Sequence, residues 1–113
     1  MKHLKLVVNN ETKKKDIFFN KVELQTILNL YGKMVASGEW KDYGLSISKK
    51  EVSFNVYHRA SEFPIYKIAK NLKTKNNNEK YLIKNSKNVT IKTSESLKKL
   101  IEKVIWNKFK LVN

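Results

Sequence analysis

The sequence predicts one α+β domain, in which a mostly antiparallel β-sheet carries two helices, at about residues 21–37 and 95–108, on one face. Two stretches have the apolar spacing of a buried helical stripe, and several short stretches alternate apolar with polar residues. The order of strand, helix, several strands and helix lacks the regular βαβ alternation that a parallel sheet requires. A chain of 113 residues is long enough for one such core.

The first helix has signals at both ends. Asn20 and Glu23 have the spacing of a capping box, and the hydrophobic pair Phe19 and Leu24 fits the staple that accompanies it. Gly38 is placed to close the helix as its C-terminal glycine. The predicted buried stripe consists of Leu24, Ile27, Leu28, Tyr31, Met34 and Val35.

The second helix is predicted to begin after Thr93 or Ser94, either of which can act as its N-cap. Trp106 falls on the opposite side, and we expect the last residues, Phe109–Val112, to cover it. The predicted stripe consists of Leu97, Leu100, Ile101, Val104 and Ile105.

The strands are predicted from alternation. YGLSISKKEVSFNVYHR indicates a hairpin that turns near Lys49, and YLIKN and VTIKT, joined by NSKN, indicate a second one. PIYKIAK begins with Pro64, which suits the first position of a strand. HLKLVVN is a further predicted strand, and DIFF is another candidate. The loop KTKNNNEK is expected to be mobile.

The net charge of +14 is compatible with two explanations. Clustered lysines neutralise phosphates, which favours a nucleic-acid partner, with Tyr66 or Tyr81 as a stacking platform for bases. Thirteen asparagines and a single arginine among twenty-four basic residues are also what drift in an AT-rich coding sequence produces. The candidate nucleic-acid-binding residues are Lys70, Lys73, Lys75, Lys80, Lys84, Lys87 and Lys92.

Several classes of protein are disfavoured. The chain has no cysteine, so it has no disulfide framework or thiolate metal site, and no segment resembles a signal peptide or a membrane span. His3 and His58 are the only imidazoles, the carboxylates lack calcium-loop spacing, and no nucleophile elbow or phosphate loop occurs. We therefore predict no metal, no cofactor, no membrane partner and no enzymatic activity.

Three blocks resemble a family of small uncharacterised proteins of alphaproteobacteria, over roughly residues 17–92. They are LYG at Leu30–Gly32, VASGEWKDY at Val35–Tyr43, and the block RASEFPIYKI at Arg59–Ile68. The resemblance implies membership of a domain family of unknown function and a location in the bacterial cytoplasm. It implies no catalytic or binding residues. Members of that family often have two adjacent arginines where this chain has His58 and Arg59.

Arg59 is the single arginine among the twenty-four lysine and arginine residues of the chain. A guanidinium binds carboxylates through two parallel hydrogen bonds and stacks on aromatic rings, which lysine does not reproduce. We predict either a structural ion pair with a nearby carboxylate or a surface that recognises an acidic group or a protein partner. The candidate interaction residues are Glu39, Trp40, Asp42, Tyr43, Arg59, Glu62 and Tyr66. If the aromatic residues among them are buried, the blocks are scaffold; if they line an exposed groove, the blocks are a binding site.

Overall fold

The computed structural model describes residues 18–59 and 63–104, and these form a five-stranded antiparallel sheet with two α-helices. The strands follow one another across the sheet in the order β1-β2-β3-β4-β5, so each pairs with its neighbours in sequence. The predicted α+β class is confirmed. The elements are α1 (Lys21–Ala36), β1 (Asp42–Ile47), β2 (Glu51–Tyr57), β3 (Tyr66–Asn71), a 3₁₀ helix (Asn77–Glu79), β4 (Tyr81–Asn85), β5 (Thr90–Ser94) and α2 (Leu97–Lys103).

Some predicted features lie outside the described residues. These are the strand HLKLVVN, the packing of Trp106 against Phe109–Val112, and Glu62. Of the candidate strand DIFF, the two phenylalanines are described, and they lie outside any strand and are buried in the core. KTKNNNEK, expected to be a mobile loop, contains the 3₁₀ helix, which Asn76 caps by accepting a hydrogen bond from the Asn78 backbone at 2.9 Å.

The hydrophobic core lies between the sheet and the two helices. On β2, Val52, Phe54 and Val56 are fully buried at every second position, as expected when one face of a strand packs on the core. Ile68 of β3 and Ile83 of β4 continue the same layer. The helices cover it with Ile27, Leu30, Met34, Leu97 and Leu100.

The start of α1 agrees with the prediction in detail. The Asn20 side chain accepts a hydrogen bond from the Glu23 backbone at 2.8 Å, and the Glu23 carboxylate accepts one from the Asn20 backbone at 2.7 Å. The buried stripe differs by one position, because Leu30 is buried whereas Val35 is 41% exposed. The helix therefore turns its Ile27, Leu30 and Met34 face toward the sheet.

The predicted limits of the second helix are corrected. Ser96 is its N-cap and accepts a hydrogen bond from the Lys99 backbone at 3.3 Å, while Thr93 and Ser94 still belong to β5. Thr93 pairs with Leu82 and Ser94 with Tyr81, so the strand takes the two residues proposed as caps. At the other end Val104 has an extended backbone, so α2 stops at Lys103.

The two ends of the sheet carry different loops. At one end, the β1–β2 turn touches the β3–β4 connection, where the Leu72 backbone donates to the Lys50 carbonyl at 2.8 Å. At the other end lie the α1–β1 turn, the β2–β3 connection and the β4–β5 turn. Asn88 adopts a left-handed conformation (φ 64°) in that last turn, which asparagine tolerates better than most residues. Within the described ranges no helix is long and apolar enough to cross a membrane.

Candidate functional site

A pocket of about 360 Å³ opens where the end of α1 meets the ends of β3 and β4. It draws its walls from four separate parts of the chain. Apolar side chains and aromatic rings form most of it, and polar groups stand among them. The lining residues are Met34, Glu39, Trp40, Ile65, Tyr66, Asn85 and Ser86.

A glycine-based chain reversal builds one wall of the pocket. Gly38 has φ +85°, the left-handed conformation that commonly ends helices and that side chains disfavour. The backbones of Glu39 and Trp40 then fold back to donate to the Met34 carbonyl at 2.9 and 3.3 Å. Because of this reversal, Trp40 is only 1% exposed although it follows the helix by a few residues.

Strand ends hold this reversal in place. The Lys41 backbone donates to the Tyr57 carbonyl at 2.8 Å, and the His58 Nδ1 lies 3.1 Å from the Glu39 carbonyl. The Ile65 backbone donates to the Val56 carbonyl at 2.8 Å, which brings the start of β3 alongside. His58 therefore joins the end of β2 to the turn.

Glu39 has the single carboxyl group among the lining residues of the pocket. Burial raises the pKa of Tyr66 above its usual value, so its phenol stays neutral and protonated near neutral pH. Asn85 uses its side-chain oxygen to accept hydrogen bonds from the Lys87 and Val89 backbones, which fixes the turn at the pocket rim. The site therefore combines apolar walls with a carboxyl group and hydrogen-bonding groups.

The predicted interaction residues divide between pocket and scaffold. Glu39, Trp40 and Tyr66 line the pocket. Tyr43 instead stacks on Phe54, with ring centroids 4.6 Å apart, and belongs to the core. Asp42 accepts a hydrogen bond from the Tyr43 backbone at 2.8 Å. Arg59 is exposed beyond the end of β2. Of the carboxylates predicted to pair with it, Glu62 lies outside the described residues and Asp42 lies at the start of β1.

Other lining residues were not predicted. Met34 was assigned only to the buried stripe of α1, and Asn85 and Ser86 come from a hairpin that sequence patterns assigned to nucleic acid. The sequence of a polar hairpin turn does not indicate which residues from other parts of the chain will lie next to it in the fold. Only the pairing of β3 with β4, which sets Tyr66 opposite Asn85, brings them to the pocket.

Phe63 lies in the β2–β3 connection, two residues before the pocket residue Ile65. Its side chain is 85% exposed, more than that of any other large hydrophobic residue in the described ranges. Phenylalanine is enriched in protein–protein interfaces relative to the rest of the protein surface, so this ring is a candidate contact with a partner.

The candidate nucleic-acid-binding lysines do not share one face. Lys73, Lys75 and Lys80 are exposed at one end of the sheet, and Lys87 lies in the β4–β5 turn at the other. Lys92 is exposed in the edge strand β5.

Two lysines of that set are engaged in ion pairs. Lys84 pairs with Glu51 at 3.3 Å. Lys70 is buried and pairs with Glu23 at 3.0 Å, so its assignment to a nucleic-acid surface is wrong. Tyr81, proposed as a stacking platform, is also wrong because it is only 6% exposed.

Lys70 belongs to a buried polar cluster that sequence patterns did not reveal. Its ammonium donates to the Glu23 carboxylate and, at 3.2 Å, to the Phe18 carbonyl. The other carboxylate oxygen of Glu23 accepts a hydrogen bond from the Tyr81 hydroxyl. Each buried side-chain polar atom in the described ranges has a partner. The cluster therefore ties the start of α1 to β3 and β4, and we assign it a structural role.

Hydrogen bonding determines the ionisation of this cluster. Burial alone raises the pKa of Glu23, but the hydrogen bonds from Tyr81, Asn20 and Lys70 outweigh it and leave the pKa below its usual value. Burial, together with the hydrogen bond to Glu23, raises the pKa of Tyr81. Glu23 is thus a carboxylate and Tyr81 a neutral phenol over the physiological range.

We expect this cluster to lose stability in acid. The pKa of Glu23 is lower in the folded chain than its usual value of 4.5, so its contribution is complete above that value and disappears as the pH falls through the folded pKa. The midpoint of thermal unfolding of Glu23→Gln should therefore change less than that of the parent between about pH 5 and pH 3. Glu79→Gln, which alters an exposed carboxylate, should retain the parent's acid dependence. Parallel pH profiles for the parent and Glu23→Gln would contradict this role.

No group of three or more metal-ligating side chains occurs within residues 18–59 and 63–104. No curated protein matches the chain, and no solved structure does. A family model described as "Protein of unknown function (DUF2794)" matches residues 17–101, which include every described helix and strand apart from the last two residues of α2. The match covers well over half of the chain. This protein therefore belongs to the DUF2794 family of proteins of unknown function.

Proposed function

We propose that this protein is a non-catalytic binding module that recognises a protein partner through the pocket and the exposed ring of Phe63. One observation carries the proposal: two separate segments, Gly38–Tyr43 and Arg59–Tyr66, both supply walls to the same pocket. A pocket of about 360 Å³ is at the small end of the range for ligand sites. That volume suits one or two side chains of a partner.

The residues of this surface suit contacts in two directions: one of its side chains can enter the partner, and a partner side chain can enter the pocket. Binding energy at interfaces concentrates in aromatic residues that enter pockets on the partner, surrounded by a polar rim. Phe63 offers such a ring, and the pocket accepts a side chain in return. Glu39, Asn85 and Ser86 supply the polar rim. Because Glu39 has the single carboxyl group among the lining residues, we expect the partner to place a hydrogen-bond donor or a cation against it.

We assign no catalytic step to this surface. Proton transfer near neutral pH works best with a group whose pKa is close to 7. Burial moves the pKa of Tyr66 further above that range. The resemblance to small alphaproteobacterial proteins supports the bacterial cytoplasm as the place where the module acts.

We expect Phe63→Ser to abolish partner capture without affecting folding. The immobilised protein would be cross-linked to bound proteins in a nuclease-treated native lysate, and capture would be quantified for each variant. Loss of an aromatic anchor costs about 2 kcal/mol or more, which is at least a roughly thirtyfold loss of affinity. The same ring is 85% exposed, so thermal unfolding should be unchanged.

Val22→Ser is the matched control. Val22 is also exposed and apolar, at 73%, but lies in the first turn of α1, away from the pocket. Its variant should capture the partner as the parent does. Equal capture by all three proteins would show that the pocket surface is not the binding site.

The second candidate function is nonspecific binding of nucleic acid by the lysine-rich second hairpin. The net charge of +14 supports it. The dispersal of its lysines and the burial of Lys70 weigh against the hairpin as a single surface.

A further inference from the structure

Two turns that are distant in sequence bring five exposed lysines to one end of the sheet. Lys49 and Lys50 lie in the β1–β2 turn, and Lys73, Lys75 and Lys80 lie in the β3–β4 connection. We call this group the basic end. It lies at the opposite ends of β2 and β3 from the pocket, across strands of six or seven residues, a distance of about 20 Å.

Backbone hydrogen bonds hold the two turns together. The Leu72 backbone donates to the Lys50 carbonyl at 2.8 Å, and the Asn71 backbone donates to the Lys80 carbonyl at 2.7 Å. The Asn71 side chain also accepts a hydrogen bond from the Lys73 backbone at 3.1 Å. These contacts place the lysines on a fixed framework, so that the two turns act as one surface.

The basic end keeps an excess of positive charge. The acidic residues in or next to the two turns are Glu79 and Glu51, the first residue of β2, set against five lysines. Glu51 is already paired with Lys84, at 3.3 Å, and so does little to neutralise the lysines around it. The lysines at this end form no ion pair with the acidic groups of the described residues.

The chemistry of the basic end favours a polyanion whose charges are on its outside. Lysine binds phosphate as a point charge and lacks the planar, two-pronged donor group of arginine. The two turns contain no aromatic residue, and Lys80 lies over the ring of Tyr81, at 5.5 Å, which is buried. Single-stranded nucleic acid is normally bound by stacking bases on exposed rings, which this end lacks.

We infer that the basic end binds the phosphate backbone of duplex nucleic acid, without reading its sequence. The site differs from the second hairpin, because it includes Lys49 and Lys50 and excludes Lys70, Lys84, Lys87 and Lys92. Its distance from the pocket leaves the two surfaces accessible at the same time. Nonspecific binding of this kind has a Kd of about 10⁻⁴ to 10⁻⁶ M at physiological salt.

The test compares two double variants that remove the same charge. Lys50→Gln with Lys73→Gln alters the basic end, and Lys87→Gln with Lys92→Gln alters exposed lysines elsewhere. Binding to a fluorescent duplex of about 20 base pairs would be followed by anisotropy over a series of salt concentrations. Each phosphate contact contributes a slope of about 0.9 to the fall of log K with log salt. For the basic-end variant, the slope of log K against log salt should therefore decrease in magnitude by about 1.8, and the affinity at low salt should fall at least about tenfold. For the control variant, the decrease in slope should be less than half as large.

Several outcomes would overturn the inference. Equal losses in both double variants would mean that net charge, and not the basic end, attracts the duplex. Preference for one sequence over another would mean that bases are read. Binding to vesicles containing phosphatidylserine, with none to the duplex, would assign the basic end to a membrane surface. Phe63→Ser should leave duplex binding unchanged, so failure of this test and failure of the pocket proposal can be told apart.

Discussion

Lys70→Ala is expected to lower the free energy of unfolding by about 3–5 kcal/mol, the cost of leaving one partner of a buried ion pair uncompensated. The Lys70 ammonium is held between the Glu23 carboxylate and the Phe18 carbonyl, and both residues of the pair are buried. Without it, the Glu23 carboxylate stays in a buried site and keeps only its hydrogen bonds from Asn20 and Tyr81. Urea unfolding at neutral pH measures the difference.

Two companion variants separate the pair from charge in general. Lys73→Ala removes an exposed lysine three residues away and should change stability by less than about 0.5 kcal/mol. Glu23→Gln combined with Lys70→Met should be less destabilised than Lys70→Ala alone, because the neutral amide can still form hydrogen bonds with Asn20 and Tyr81 and no unmatched charge is left buried. If Lys70→Ala unfolds at the same urea concentration as the parent, the buried ion pair contributes little to stability and the cluster does not anchor α1.

Trp40→Ala is the second change with a large expected effect, again about 3–5 kcal/mol of unfolding free energy. Trp40 is 1% exposed, and its ring lies 6.1 Å from that of Tyr31 in the aromatic part of the core. Truncation removes its buried surface and leaves a cavity that the surrounding helix and strands fill only in part. Thermal or urea unfolding would show the loss directly.

Phe63→Ala is the matched control, since it also removes a large aromatic ring, but one that is exposed rather than buried. That ring is 85% exposed, so the change should cost less than about 0.5 kcal/mol. A similar loss for both variants would mean that Phe63 packs against the protein in solution. A small loss for Trp40→Ala would mean that the reversal at Gly38 does not depend on this side chain.

The contrast between these residues determines how the pocket should be probed. Trp40 is both a pocket wall and part of the core, so its loss would reduce binding through unfolding as well as through contact. Phe63 separates the two effects because its exposed ring contributes little to folding. Both the pocket and the basic end lie within the residues that the family model matches.

Local patterns in the sequence were sufficient for most of the secondary structure. The capping box of Asn20 and Glu23 and the glycine at 38 predicted α1 almost to the residue. Both hairpins followed from alternation and polar turns. These features depend on hydrogen bonds between residues a few positions apart, or on which face of one element is apolar, so a short stretch of sequence contains what is needed.

The boundary of α2 shows where local patterns fail. Thr93, Ser94 and Ser96 are all chemically suited to cap a helix. Ser94 is placed in β5 because it pairs with Tyr81 of β4, and this pairing leaves Ser96 as the cap. Pairing with β4, a strand from another part of the chain, therefore determines which of the three residues caps α2.

The fold class, the hairpins, the start of α1 and the excess of positive charge can all be predicted from the order of the amino acids. The tertiary structure decided what each charged or aromatic residue does. Nothing in the local sequence distinguishes Lys70 from Lys73. In the structure Lys70 is buried against Glu23, whereas Lys73 is exposed at the basic end. Glu23 and Lys70 are far apart in the chain, as are Trp40 and Asn85, and only the packing of α1 on the antiparallel sheet brings each pair to a common site. The physical reason is that burial and proximity are properties of the assembled core, whereas composition and spacing describe the chain before it is assembled.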